Sequence, residues 1–211
     1  MLILPPAHLA GDPYESLRLG LMQMRLWSAD AISVPPLSVD LLRTTAECAE
    51  LAAPLLGEIA RQGFSPAQVM FSAADPDGHG RALAGLSRLA AAGCGIELCC
   101  MDEAVPRLLA RSPTGSVRLR LPPPLLRGCG IDPDCGRMIL AQLAVAERHG
   151  ARSFAGQVDT RREYGFLAQI GCDVVQGDAV APELDANAMG HYLRQSAAIP
   201  PTRGAIPRPA A

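Results

Sequence analysis

The chain has 211 residues, a formal net charge of −2, 49% hydrophobic residues and 19% charged residues. That length favours one domain with at most a small appendage, and the composition is globular rather than disordered. The near-neutral balance, with no long basic run, argues against nucleic acid as a partner; no apolar run reaches the ~18 residues of a membrane span.

The N-terminal stretch MLILPPAHLAGDPYES has no basic n-region and no adequate apolar h-region, so no signal peptide is expected. Seven cysteines, none in a CxxC pair, read as reduced thiols of a cytoplasmic protein, most of them small buried hydrophobes. All 19 basic residues are arginine, which excludes any mechanism that needs a lysine.

Met1 to Leu4 reads as a short strand ended by Pro5-Pro6. Asp12-Pro13 opens a helix as N-cap and first helical residue, and Leu17, Leu21, Met24 and Trp27 follow at helical spacing. Ile32–Val34 reads as a strand. Residues from about Asp40 to Arg61 read as a long helix with Leu51, Leu55 and Ile59 on one face, kinked at Pro54. Val69–Ala73 is the next strand, and ADPDGHG a loop. Leu83, Leu86 and Leu89 mark a helix that Gly93 ends.

Ile96–Cys100 is a strand, Val105–Ala110 a short helix, and Ser112–Gly115 a turn. Val117–Leu121 is a strand stopped by three prolines. Gly136–His149 is an amphipathic helix, Ser153–Ala155 a strand, Arg161–Ile170 a helix, Asp173–Val175 a strand, and Leu184–Gln195 the last helix. The Pro-rich tail, 197–211, is expected to be disordered, which leaves one domain over 1–196.

Strands and helices alternate about seven times with short connections. That pattern predicts a parallel sheet covered by helices, and the count fits an α/β, TIM-barrel-like (β/α) barrel, closed or nearly closed. No GxGxxG follows the first strand, which argues against an open dinucleotide-binding sheet.

The segment LAQIGCDVVQGDAVAPEL, Leu167 to Leu184, resembles the closing segment of EAL domains, the cyclic di-GMP phosphodiesterases. FAGQVDT (154–160) stands where that family has AEGVET, ISVPPLSVDLL (32–42) is similar to its isvNlS strand, and LAAAGCGIELCCMDE (89–103) is similar to the segment ending in DDFG. The likeness runs from about Tyr14 to Leu193. It implies an EAL-type barrel, incomplete or modified, because the strand carrying the Glu-Ala-Leu signature has no match.

The family hydrolyses a phosphodiester with two divalent ions, which need oxygen ligands. Carried over position by position, the asparagine of isvNlS falls on Pro36 and the glutamates of E-x-T-E on Ser72 and Asp75. The aspartates of DDFG fall on Cys99 and Cys100, the lysine and aspartate of K-I-D on Arg118 and Arg120, and the glutamates of AEGVET on Gly156 and Asp159. Neither a metal site nor any other cofactor is therefore expected. The expectation is a non-enzyme: a regulatory protein–protein interaction module in bacterial cyclic di-GMP signalling, with an unidentified protein partner. The resemblance also implies a homodimer.

Two alternatives stand beside it. One is a non-hydrolysing cyclic di-GMP receptor with Arg118, Arg120, Gln157, Asp159 and Gln176 as contacts. Arg118 and Arg120 alternate with Val117, Leu119 and Leu121 and so share a face, where they clamp an anion or pair with Glu97 or Asp159. The other is an unrelated barrel hydrolase using Asp75, Asp77, His79 and Asp159. Cys99-Cys100 could serve a soft metal, but adjacent strand residues face opposite ways. For Gln176-Gly177 the plain alternative to a ligand contact is a polar strand end with a glycine turn.

Overall fold

The structure is a computed structural model that describes residues 2–3, 12–30, 32, 34–41, 48–74, 81–99 and 117–197. Seven strands form one parallel sheet in the order β1-β2-β3-β4-β5-β6-β7: Leu2–Ile3, Leu37–Asp40, Val69–Ala74, Gly95–Cys99, Val117–Leu121, Arg152–Ala155 and Val174–Val175. The helices among the described residues are α1 (Pro13–Ala29), α2 (Cys48–Arg61), α3 (Arg81–Ala91), α4 (Pro123–Leu126), α5 (Pro133–Arg148), α6 (Arg161–Gln169) and α7 (Ala186–Ala197).

The strands are parallel and follow one another in sequence order, which never reverses, as in a (β/α) barrel whose crossovers place helices on one side of the sheet. This is the expected barrel-type sheet. Among the described residues β1 and β7 are its edges, so the barrel is incomplete.

Helix α1 forms as expected. Asp12 caps it through the Tyr14 N–H at 2.9 Å, Pro13 begins it, and Leu17, Leu21, Met24 and Trp27 are buried. The Trp27 indole N–H donates to the Ala186 carbonyl at 3.2 Å, which ties α1 to α7. Helix α2 is described over Cys48–Arg61 and runs on through Pro54, burying Leu55 and Ile59; Asp40, where the helix was expected to begin, instead ends β2, and 42–47 lie outside the described residues. Helix α5 starts three residues early, at Pro133, because Asp132 caps it. The Val105–Ala110 helix, the Ser112–Gly115 turn and the tail beyond Ala197 lie outside the described residues.

The second strand corrects the sequence reading. It was expected at Ile32–Val34 and lies at Leu37–Asp40. Proline has no N–H to give a ladder, so the strand begins only after Pro35-Pro36.

The helix-facing sides of β2–β5 supply Leu37, Val39, Val69, Phe71, Ile96, Leu98 and Leu119 to a large core with α1, α2 and α3. A smaller core joins Leu121, Leu126, Cys129, Ile139, Ala155, Val158 and Leu167. Each fully buried side chain of this kind contributes roughly 1.5–3 kcal/mol.

One buried carboxylate pins α2 to α1. Glu58, 2% exposed, accepts from the Tyr14 hydroxyl at 2.9 Å, Arg61 at 2.7 and 2.8 Å and Gln62 at 2.8 Å. The Arg61 guanidinium, helped by Gln62 and Tyr14, holds the Glu58 carboxyl down at about 2 against the opposing effect of burial. A depressed carboxyl stabilises the fold above its unfolded pKa, and that contribution fades as pH falls towards the folded value. The urea midpoint of the native chain should therefore exceed that of Glu58→Gln clearly at pH 7, with the gap closing between pH 4.5 and about 2. An equal gap at pH 7 and pH 2.5 would count against this account.

Candidate functional site: the inner strand ends

The face of the sheet turned away from the helices carries polar residues in register. Asp40, Ser72, Glu97 and Arg118 stand in one row across β2 to β5, and Arg118 continues to Arg152 on β6. One step nearer the C-terminal ends, Arg120 stands beside Phe154. In parallel barrels this end of the strands is where ligands are met.

Glu97 is fully buried and organises the row. One carboxylate oxygen accepts from Arg118 Nε at 2.6 Å and pairs with Arg118 Nη2 at 2.5 Å; the other accepts from Arg120 Nε at 2.5 Å. Both guanidinium groups lie over the Phe154 ring, at 4.6 and 5.2 Å from its centre. Arg120 also faces Asp40 at 3.9 Å; its side chain is 20% exposed and that of Asp40 51%. Burial pushes the Arg118 guanidinium below its ordinary value, and Glu97 opposes the shift. Ser72 is fully buried, and its hydroxyl makes no hydrogen bond.

The other expected contacts lie on the loops above. Gln157 is exposed and holds a left-handed backbone, φ 61°, a strain of roughly 1–2 kcal/mol for a residue with a Cβ. Asp159 and Gln176 are also exposed. The two loops are laced together: the Val158 N–H donates to the Gln176 carbonyl at 3.0 Å, and the Ala179 N–H to the Val158 carbonyl at 3.0 Å. Gly177, at φ 145°, lies so close that a Cβ there would stand 2.3 Å from the Val158 carbonyl oxygen. The glycine is therefore needed for backbone-on-backbone packing as well as for a turn.

Arg118 and Arg120 thus share a face and take Glu97, not Asp159, as their partner. The sequence reading missed Asp40 and Phe154. The asparagine position that it placed on Pro36 needs correction: Pro36 precedes β2, and Asp40 ends it on the inner face. The alternation of Ser38 and Asp40 with Leu37, Val39 and Leu41 was the available signal.

Asp75, Asp77, His79 and Cys100 lie outside the described residues, as does the side chain of Cys99. Elsewhere, burial pushes the Cys94 thiol up to about 11, which suits an inert core cysteine.

The EAL domain family model matches residues 16–183. This chain is an EAL-family domain. No curated protein matches it significantly by sequence. Among solved structures, the EAL domain is similar to the PaMucR phosphodiesterase in its c-di-GMP complex, with TM-score 0.73, 21% identity, and 83% of this chain and 72% of that one covered. It is also similar to the EAL domain of Mycobacterium smegmatis DcpA, with TM-score 0.65, 20% identity and coverage of 85% and 82%. The Xanthomonas citri FimX EAL domain, solved in complex with c-diGMP, gives TM-score 0.66, 19% identity and coverage of 86% and 76%.

These findings overturn one expectation. The chain was expected not to be an enzyme, on the strength of its altered strand ends. Membership of the EAL family points to an enzyme.

Among the described residues, the oxygen donors of the inner strand face do not fit the pair of divalent ions that the family resemblance implies. Both Glu97 oxygens are engaged by guanidinium groups, Ser72 is neutral, and Asp40 faces Arg120. Among the described residues no three of His, Cys, Asp and Glu cluster as ligands would. Likewise, no helix among them is long and apolar enough to cross a membrane.

Proposed function

We propose that this EAL domain takes cyclic di-GMP at the C-terminal ends of its inner strands, with hydrolysis of the phosphodiester as the activity to which its family points. The observation that carries the reading is the pair Arg118 and Arg120, fixed side by side on Phe154, with Arg120 next to the C-terminal end of β5. An anion is what such a pair recognises. Arg120 is the phosphate contact in this reading. Gln157, Asp159 and Gln176 on the laced loops are the contacts to the rest of the dinucleotide. Neighbours of the same fold solved with c-di-GMP support it.

Isothermal titration of the chain with cyclic di-GMP, with and without Mg²⁺, tests it. Saturable heat at one dinucleotide per domain is the expected result. No heat in either condition overturns the reading. It would leave a regulatory protein contact, the second reading, which is favoured by the exposed Ile131, Met138 and Leu140 around the start of α5.

A further inference from the structure

The left-handed backbone of Gln157 has to be held in place, and the first turn of α6 lies where it can do so. We infer that Glu163 is a positioning residue for the dinucleotide: it acts through Thr160 and Gly128 to fix the loop that carries Gln157 and Asp159. The inference rests on the cyclic di-GMP reading and deepens it.

Glu163 reaches three segments of the chain. One carboxylate oxygen accepts from the Thr160 N–H at 3.1 Å, while the Glu163 N–H donates to the Thr160 hydroxyl at 3.2 Å, a reciprocal cap at the start of α6. The other oxygen accepts from the Gly128 N–H at 3.2 Å, in the turn between α4 and α5. The adjacent Arg162 donates from Nε to the Gly130 carbonyl at 2.9 Å, and a Cβ on Gly130 would stand 3.0 Å from the Arg162 side chain. The first turn of α6 therefore grips the 128–130 turn through an acceptor and a donor at once. Burial works against the Glu163 charge, but the bonds from Gly128, Thr160 and Asp159 outweigh it and hold the carboxyl below its ordinary value.

These contacts do more than cap a helix. A residue with a Cβ keeps a left-handed conformation only where its surroundings over-determine it. Upstream of Gln157, Ala155 is fixed in β6. Downstream, Val158 is laced to residues 176 and 179, and Thr160 is anchored by Glu163. Asp159 stands between those two anchors. Without Glu163, only Val158 restrains the downstream side, and Gln157 can relax towards negative φ. Fewer molecules then present Gln157 and Asp159 where the ligand meets them, and the apparent affinity falls in proportion.

The test is titration with cyclic di-GMP, run far below the thermal midpoint of every variant so that affinity is read on folded protein. Glu163→Ala should weaken binding by about tenfold, as loss of hydrogen bonds to a charged group does. Glu163→Gln has a single acceptor oxygen, so it keeps the Thr160 bond, loses the Gly128 bond and should cost about threefold. Asparagine adopts the left-handed backbone more readily than glutamine. In a Gln157→Asn background, Glu163→Ala should therefore cost only about twofold. In the free protein, exchange of the Val158 amide hydrogen should quicken by about tenfold in Glu163→Ala, because the lacing opens more often.

Binding by Glu163→Ala within twofold of the native chain overturns the inference and leaves the cyclic di-GMP reading intact. So does an equal cost of Glu163→Ala in both backgrounds, or an unchanged Val158 exchange rate, since Glu163 would then serve stability alone. No binding by the native chain overturns both.

Discussion

Glu97→Ala is expected to cost the fold about 3–5 kcal/mol, the usual penalty when one partner of a buried ion pair is removed. The loss is large because of what remains. The Arg118 side chain is only 7% exposed and that of Arg120 20%, so both cations would be left in the sheet with their common counter-charge gone. A compensating change distinguishes this cause from simple loss of volume. Glu97→Met combined with Arg118→Met should recover part of the stability, since well-packed apolar residues often replace a buried pair at no net cost, while Arg120 keeps Asp40 as a neighbour. Urea unfolding of the single and double variants measures both effects. A fall of less than about 1 kcal/mol in the single variant, the value of an exposed pair, would remove Glu97 from the centre of the site.

Gly177→Ala is the second large effect, expected at about 2–4 kcal/mol from overpacking and backbone strain together. The added methyl would lie 2.3 Å from the Val158 carbonyl oxygen and 2.4 Å from its nitrogen, at a φ of 145° that residues with a Cβ rarely adopt. Backbone cannot swing aside as a flexible side chain can. The 156–158 loop would have to lift, breaking the hydrogen bonds between Val158 and residues 176 and 179. Dinucleotide binding should therefore fall together with stability. Gly165→Ala is the matched control. That glycine lies in exposed α6 with nothing within 4 Å of the added methyl, and the change should stabilise the helix by about 1 kcal/mol. Equal responses from the two glycines would show that the close approach at Gly177 is not felt.

The repeating strand–helix order was readable because its signals are local. Caps such as Asp12-Pro13, glycine stops and runs of apolar residues at two spacings lie within a few residues of one another. The shared face of Arg118 and Arg120 was readable for the same reason, and so was Glu97 as one candidate partner. What failed depends on contacts made across the sheet. Ile32–Val34 is apolar enough for a strand, but the ladder starts beyond the two prolines, and Asp40 was lost with it. Phe154 matters because β6 lies beside β5 in a register that sets it against Arg120. The need for glycine at 177 is set by Val158, nineteen positions earlier in the chain and invisible to any local pattern. The expectation that the chain is not an enzyme leaned on ligand positions alone and gave the family as a whole too little weight.

The division of the interior into two cores bears on how the molecule can yield. Strand β5 belongs to both: Leu119 lies in the larger core and Leu121 in the smaller. Cooperative units of a fold open with different free energies, and a unit with fewer buried contacts opens first. The smaller core, beneath α4, α5, α6 and the loops that carry Gln157 and Gln176, can thus loosen while β2 to β4 remain locked. Arg118 and Arg120 sit on the shared strand, at the hinge line between the two units. A ligand drawn to Arg120 and to the loops above it would clasp both at once, so the domain's resistance to subglobal opening would rise when it is occupied.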